Sequence, residues 1–347
     1  MPLPLQRYLE TTDIYHQERE SLRERIFKIT DAHGAAVLEM DVFRFQYRYN
    51  NVYQTWCDAL SRSPAQVQEH HAIPFLPISF FRTHQVQTGP VREGATVFGS
   101  SGTTGADRSK HFVPDLALYR KSAKMTFEKC FGAPSELVII ALLPSYLERT
   151  DSSLVYMCKM LIEDSGTPES GFFLNQYDEL LHLLETLAIQ NRQVCLIGVS
   201  FALLDFAGYR PPAWPGLKVV ETGGMKGRGK ELLREELHSL IRKTWPVPFI
   251  YSEYGMTELL SQAYSGQDGF FQAPPWMRIQ LRDLYDPLSQ VETGALGAIN
   301  VVDLANIDSC AFIATDDLGR GAADGRFTVN GRFDHSLPRG CNLLLNG

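Results

Sequence analysis

The segment FGSSGTTG, Phe98 to Gly105, places two serines, two threonines and three glycines in seven consecutive positions (Ser100, Ser101, Gly102, Thr103, Thr104 and Gly105 among them). Glycines let backbone N–H groups approach a polyphosphate closely, and hydroxyls donate to its oxygens without adding charge. No GK[ST] follows, so this is not a Walker loop. A second string, YSEYGMTE (Tyr251 to Glu258), offers Tyr254 as a flat face, Gly255, a hydroxyl at Thr257, and at Glu258 a hard oxygen ligand suited to Mg2+. A third, ETGGMKGRGKE (Glu221 to Glu231), sets Gly223 and Gly224 before a charged helix, with Lys226 beyond them. The fourth, TDDLGRGAADGRFTVNGRFD (Thr315 to Asp334), carries the carboxylate of Asp317 and the guanidinium of Arg332 among Gly-rich turns, which alone read as a hairpin. Taken singly, each string also reads as an ordinary polar or Gly-rich turn.

Together and in this order the four strings resemble the acyl-adenylate-forming superfamily: SGTTG its phosphate clamp, YGMTE its YGxTE motif, and TDDLGR its TGDLGR motif. In the superfamily a Pro-Lys pair closely follows SGTTG. Here four residues separate Gly105 from Lys110, which displaces the lysine. The ETGGMKGR form and the strap IPFLPISFF look like the acyl-protein synthetase branch of bacterial luminescence. This resemblance implies an ATP- and Mg2+-dependent ligase that joins a carboxylic acid, fatty or aryl, to AMP with loss of pyrophosphate. It assigns Ser100 to Gly105, Lys110, Gly223, Gly224, Tyr254, Gly255, Asp317 and Arg332 to the nucleotide, Thr257 and Glu258 to catalysis, and Glu258 to the metal. It also implies a thiol acceptor. In the tail PRGCNLLLNG, Cys341 stands where luminescence synthetases take the acyl group onto their own cysteine before passing it to a protein. Arg339 favours a thiolate there, and an unreactive tail cysteine is the plain alternative. Two further readings remain: an acyl-CoA or carrier-protein ligase, and a noncatalytic nucleotide-binding scaffold.

Positioning these strings requires a layered α/β fold. The first seventy residues read as a helical lead-in, and Ile73 to His84, with Pro74 and Pro77, as an extended strap. From Thr96, strands alternate with helices. TVF leads into the FGSSGTTG loop, and a helix over PDLALYRKSAKMTFEKCF follows it. ELVIIALLP, QVCLIGV, LKVVETGG and PFIYSEYG are strands, the first buried on both faces, in a parallel sheet. Beyond Gln262 short strands between Gly-rich turns predict a small β-rich subdomain. The expected division is a large adenylate-forming domain over 1–332, comprising the lead-in and strap over 1–95, the α/β core over 96–261 and the β-rich part over 262–332. A short tail spans 333–347, and the superfamily's C-terminal small domain, with its lysine, is largely absent.

The formal charge of -7, from 33 basic and 40 acidic side chains, gives no electrostatic reason to expect nucleic acid. Without a membrane-length apolar run or a leader, the expectation is a cytoplasmic protein with no membrane span. Six scattered cysteines form no CxxC pair, and five of them read as small apolar fillers. His111, beside the phosphate loop, and His335 read as lone structural or solvated histidines, His70 and His71 lack a partner at metal spacing, and Tyr146 reads as an acyl-pocket residue or as a packing residue.

Overall fold

The computed structural model describes residues 5–90, 94–100, 108–144, 150–223 and 232–333. The lead-in is helical as expected: α1 (Leu5–Ile26), α2 (Ala32–Tyr49) and α3 (Asn51–Ala59). Asp31 and Asn50 cap α2 and α3 by accepting from the N–H groups of Gly34 and Tyr53. The lead-in is tied to the core by Arg19, whose buried guanidinium donates to both Asp308 oxygens at 2.6 Å and to Asp115 at 3.2 Å. A forked donor suits this bidentate contact in a way that a lysine would not.

The strap is only partly extended. Leu76–Pro77 (β1) pairs in parallel with the later strand Phe312–Gly321, but Phe80–Thr83 then closes a helical turn, α4. No proline follows Pro77 to prevent that turn, which buries Phe81 edge-on against His111.

The FGSSGTTG string departs further from expectation. It begins at the end of β2 (Thr96–Gly99) and leads into a second strand, β3 (Lys110–Val113), rather than a helix; the two strands form a separate antiparallel ribbon. Helix α5 (Leu116–Phe131) starts only afterwards. Asp115 is its N-cap and Pro114 lies outside it.

The α/β core follows the chain closely. It comprises β4 (Val138–Leu142), α6 (Ser153–Ser165), β5 (Gly171–Phe173), α7 (Tyr177–Ile189), β6 (Val194–Gly198), α8 (Ser200–Ala207), β7 (Leu217–Glu221), α9 (Arg234–Thr244) and β8 (Ile250–Tyr254). The strands are parallel in the order β5-β4-β6-β7-β8. Every residue of β4 and β6 is buried, as continuous apolar runs covered on both faces require. The edge strand β5 and the short helix α8 were not predicted.

After β8 the pairing changes sense. β9 (Ala263–Ser265), β10 (Phe271–Gln272), β11 (Met277–Arg282), β12 (Leu296–Asp303), β13 (Phe312–Gly321) and β14 (Phe327–Arg332) are antiparallel. The C-terminal part is β-rich as expected, yet it continues the core sheet through β8–β9 in the order β8-β9-β10-β14-β13-β12-β11. TDDLGR lies within β13, where burial alternates. The turn of this hairpin falls at Ala322–Gly325 instead, closed by the Ala322 N–H donating to the Arg326 carbonyl at 2.7 Å. Of the cysteines described, Cys57, Cys158, Cys195 and Cys310 are buried and Cys130 is exposed. Among the described residues no helix is long and apolar enough to cross a membrane.

Candidate functional site

β8 is parallel to β7 on one side and antiparallel to β9 on the other, so the sheet changes character at its carboxyl end. Open α/β sheets place ligands at such ends. A cleft of about 1790 Å³ opens there. Its lining draws on all four strings: Ser100, Gly223, the run Tyr254 to Glu258, and Asp317 with Arg332.

Tyr254 points away from solvent and donates its hydroxyl to one Asp317 oxygen at 2.9 Å, while Arg332 Nε donates to the other at 3.1 Å. Burial first, and then the Asp317 charge, push the phenol pKa far up, so Tyr254 remains a donor. Phe271 and Phe327 meet the Tyr254 ring edge to face, at 5.9 and 5.5 Å between centroids. Asp317 is thus fixed from both sides, with lone pairs left for further donors.

Glu258 is 5% exposed. Burial raises its pKa, offset in part by a hydrogen bond from Ser109. No lysine, arginine or histidine forms an ion pair with it among the described residues, which leaves a hard carboxylate facing the cleft without a cation. Thr257, also on the cleft wall, is held through its backbone: the buried ring of His111 places Nδ1 2.8 Å from the Thr257 carbonyl and Nε2 3.0 Å from the Asn306 side-chain oxygen. Asn306 in turn donates to the Glu258 carbonyl at 2.7 Å. This chain of contacts ties the ribbon β2–β3 to Thr257 and Glu258 of YGMTE. Burial pushes the His111 pKa down to about 4, so the ring is neutral and its single N–H serves one of the two oxygens at a time.

Lys110 does not join them. Along β3 side chains alternate; Ser109 and His111 point inward and Lys110 is exposed. The cation beside the loop is Arg108, which donates from Nε to the Ser100 carbonyl at 2.6 Å and pairs with Asp151, joining the two ends of the loop. Ser100 is held at the cleft rim, with its hydroxyl accepting from the Ser109 N–H at 3.0 Å.

At the end of β7, Gly223 adopts φ +74, a conformation that favours glycine, and donates its N–H to Glu221 at 2.6 Å. Glu221 also accepts from Ser200 and stands 3.8 Å from His238. Burial opposes its charge, but the nearby His238, the Ser200 hydrogen bond and the charge of Arg234 outweigh it and keep the carboxylate pKa below its usual value. Ser101, Gly102, Thr103, Thr104, Gly105, Gly224, Cys341, Lys226, Arg339, His335 and Tyr146 lie outside the described residues.

No family model matches the chain. It is 21% identical over 301 residues to a long-chain-fatty-acid–luciferin-component ligase of Aliivibrio fischeri, covering 81% of this chain and 78% of that protein. With the protein of the same name from Vibrio harveyi it shares 23% identity over 322 residues, 87% of this chain and 80% of the relative. Among solved structures, 2-hydroxyisobutyryl-CoA ligase in complex with 2-HIB-AMP and CoA superimposes with a TM-score of 0.67 at 14% identity, over 88% of this chain and 70% of that one. Its open conformation gives 0.66 at 13% identity, over 89% and 72%. The chain has the fold of an acyl-adenylate-forming ligase. On that fold the cleft described above lies where the four strings meet, and the resemblance to the luciferin-component ligases extends over most of the chain.

Sequence reasoning passed over Glu253, which lines this cleft, and over Arg108 and His111, which hold its lining residues Ser100 and Thr257. Arg108 was hidden by attention to the lysine two positions on. His111 was set aside because a lone histidine carries no spacing signal; strand alternation beside the loop would have found it. Glu253, within YSEYGMTE, was overshadowed by its neighbours.

Proposed function

We propose that this protein is an ATP-dependent, AMP-forming ligase that activates a carboxylic acid, a fatty acid by its relatives' names, as an acyl-adenylate and passes the acyl group to a thiol. The convergence of Ser100, Gly223, Tyr254, Thr257, Glu258, Asp317 and Arg332 on one cleft carries this reading.

In the reaction a carboxylate oxygen attacks the α-phosphorus, a new C–O–P linkage forms, and the bond to the β-phosphate oxygen breaks to release pyrophosphate. Asp317, already oriented by Tyr254 and Arg332, accepts from the ribose hydroxyls and fixes the nucleoside for in-line attack. Gly223 borders the base beside Tyr254. Thr257 donates to an α-phosphate oxygen, and the loop from Ser100 to Gly105 donates to the leaving phosphates, offsetting the charge that grows there. Glu258 fits Mg2+: it is a buried hard-oxygen ligand with no ion-pair partner among the described residues, and Mg2+ is commonly bound by one or two carboxylates plus substrate phosphates. When bound, Mg2+ supplies charge neutralisation between the two anions that must meet. No general base is needed, because the nucleophile is already a carboxylate.

For the second step we propose Cys341 as the first acceptor, with a protein partner as the onward acceptor; a carrier-protein or coenzyme A thiol is the competing acceptor. Arg332 lines the cleft, and Cys341 follows Phe333 by eight residues, a reach of at most ~28 Å. The thiolate attacks the acyl carbonyl, forms a thioester and expels AMP. Carboxylate-dependent exchange of labelled pyrophosphate into ATP tests the first step without presuming the acceptor. Exchange with a subset of acids supports the ligase reading; none, in protein that binds ATP, supports the scaffold reading instead.

A further inference from the structure

One wall of the cleft carries polar groups that the reaction above does not use. Sheet register places Glu253 of β8 directly opposite Tyr264 of β9, so their side chains share a face. Gln262, two residues before Tyr264, lies on that face as well. On the other side Glu221 is opposite Ser252, which brings Thr222 beside Glu253 one step further along. This is the face away from Tyr254, under α5 and α6, where Tyr264 packs against Phe127 and Phe131 and the cleft is walled by Tyr119 and Met157.

Three of these groups are orphans. Thr222 Oγ1, Gln262 Oε1 and the Tyr264 hydroxyl are buried with no hydrogen-bond partner among the described residues, and Gln262 as a whole is 4% exposed. The Glu253 carboxyl, on the same wall, has no ion pair or hydrogen bond among the described residues. It folds against Gly255, where a Cβ would collide with it, and Gln262 flanks the same glycine. Thr222, Glu253 and Gln262 all line the cleft.

An unpaired buried polar atom costs ~1–3 kcal/mol, and a plain alkyl chain laid along this wall would keep every one of them unpaired while displacing any water. We infer that Thr222, Glu253 and Gln262 form a polar subsite for the acyl group, and that the preferred acid carries a hydroxyl on its chain. A hydroxyl donates to Gln262 Oε1 and accepts from Thr222 or Glu253, which a ketone or an alkyl carbon cannot do. Burial, and then the nearby Glu221 charge, push the Glu253 pKa up to about 8, so at neutral pH the wall is mainly uncharged and matches a hydroxyl rather than an ammonium group. This inference rests on the adenylation reading and names its substrate class.

The test is pyrophosphate exchange on the full chain with three acids of equal length: unsubstituted, hydroxylated and amino-substituted. The hydroxylated acid is expected to lead in kcat/KM by at least ~10-fold, the worth of one well-made hydrogen bond to an otherwise unpaired group. In Gln262→Leu and in Glu253→Leu, each first shown to bind ATP, that ratio is expected to fall at least severalfold, through loss of exchange with the hydroxylated acid. Leadership by the unsubstituted or the amino acid, or a ratio unchanged in both variants, overturns the subsite alone. Absence of exchange with every acid overturns the adenylation reading and this inference with it.

Discussion

Replacing His111 by glutamine removes the titrating ring that joins the ribbon to Thr257 and Asn306, and the consequence for stability depends on pH in a calculable way. In the fold the ring is fully buried and its pKa is lowered from 6.5 to about 4, with burial as the largest cause; the contacts with Thr257 and Asn306 work the other way. Between these two values the unfolded chain binds a proton that the folded chain refuses, so wild-type stability declines as pH falls. The contribution is intact above pH 6.5 and is lost as the pH approaches 4. A difference of 2.5 pKa units corresponds to about 3 kcal/mol. The substituted amide cannot titrate. At pH 7.5 the His111→Gln variant should be less stable by ~1–3 kcal/mol, the cost of disturbing contacts to two buried oxygens. That deficit should shrink on acidification and approach zero or reverse near pH 4.5. Urea unfolding of both proteins at half-unit steps from pH 7.5 to 4.5 measures it. A stability gap independent of pH would show that His111 is not held neutral by burial and would refute the reasoning.

Asp317→Asn leaves Tyr254 with an acceptor but presents an amide nitrogen to Arg332 or to the ribose; KM for ATP should rise ~10-fold or more in the exchange assay, with unfolding little changed. Glu258→Gln should lower kcat by ~100-fold or more, and raising Mg2+ should not restore it; full activity in this variant would remove Glu258 from the proposed metal site. Cys341→Ser should preserve pyrophosphate exchange and abolish acyl label retained on the denatured protein as a hydroxylamine-labile bond, whereas persistence of that label would exclude Cys341 as the acceptor.

The core was legible because its signal is strong. Continuous apolar runs such as VIIAL and VCLIG have room only in the middle of a covered parallel sheet, and both are buried throughout. The elements that escaped carry weaker signals. Three residues of β5 are too few for periodicity. The Phe80–Thr83 turn depends on packing Phe81 against a histidine thirty residues away, which no local pattern states. The joining of the two sheet regions was equally hidden, because pairing between β8 and β9 is a matter of register, not of composition.

The site shows the same division between residue type and direction. Glycine, hydroxyl and carboxylate content identified the loops, and the structure brings Ser100, Gly223, Thr257, Glu258 and Asp317 to one cleft. Direction was readable only once β3 was known to be a strand. With a period of two, the residues that flank Lys110 face the interior, so Ser109 meets Glu258, His111 meets Thr257, and the lysine turns outward. A helix directly after the loop, as the sequence pattern suggests, would have put these side chains on different neighbours. Strand β8 repeats the lesson, since Tyr254 and Glu253 are adjacent in sequence and serve opposite faces of the sheet. Tyr254 meets Asp317 on one face, and Glu253 stands opposite Tyr264 on the other. On the proposed reading, a five-residue strand therefore separates a nucleotide face from an acyl face, and a single-residue slip in its register would exchange the two.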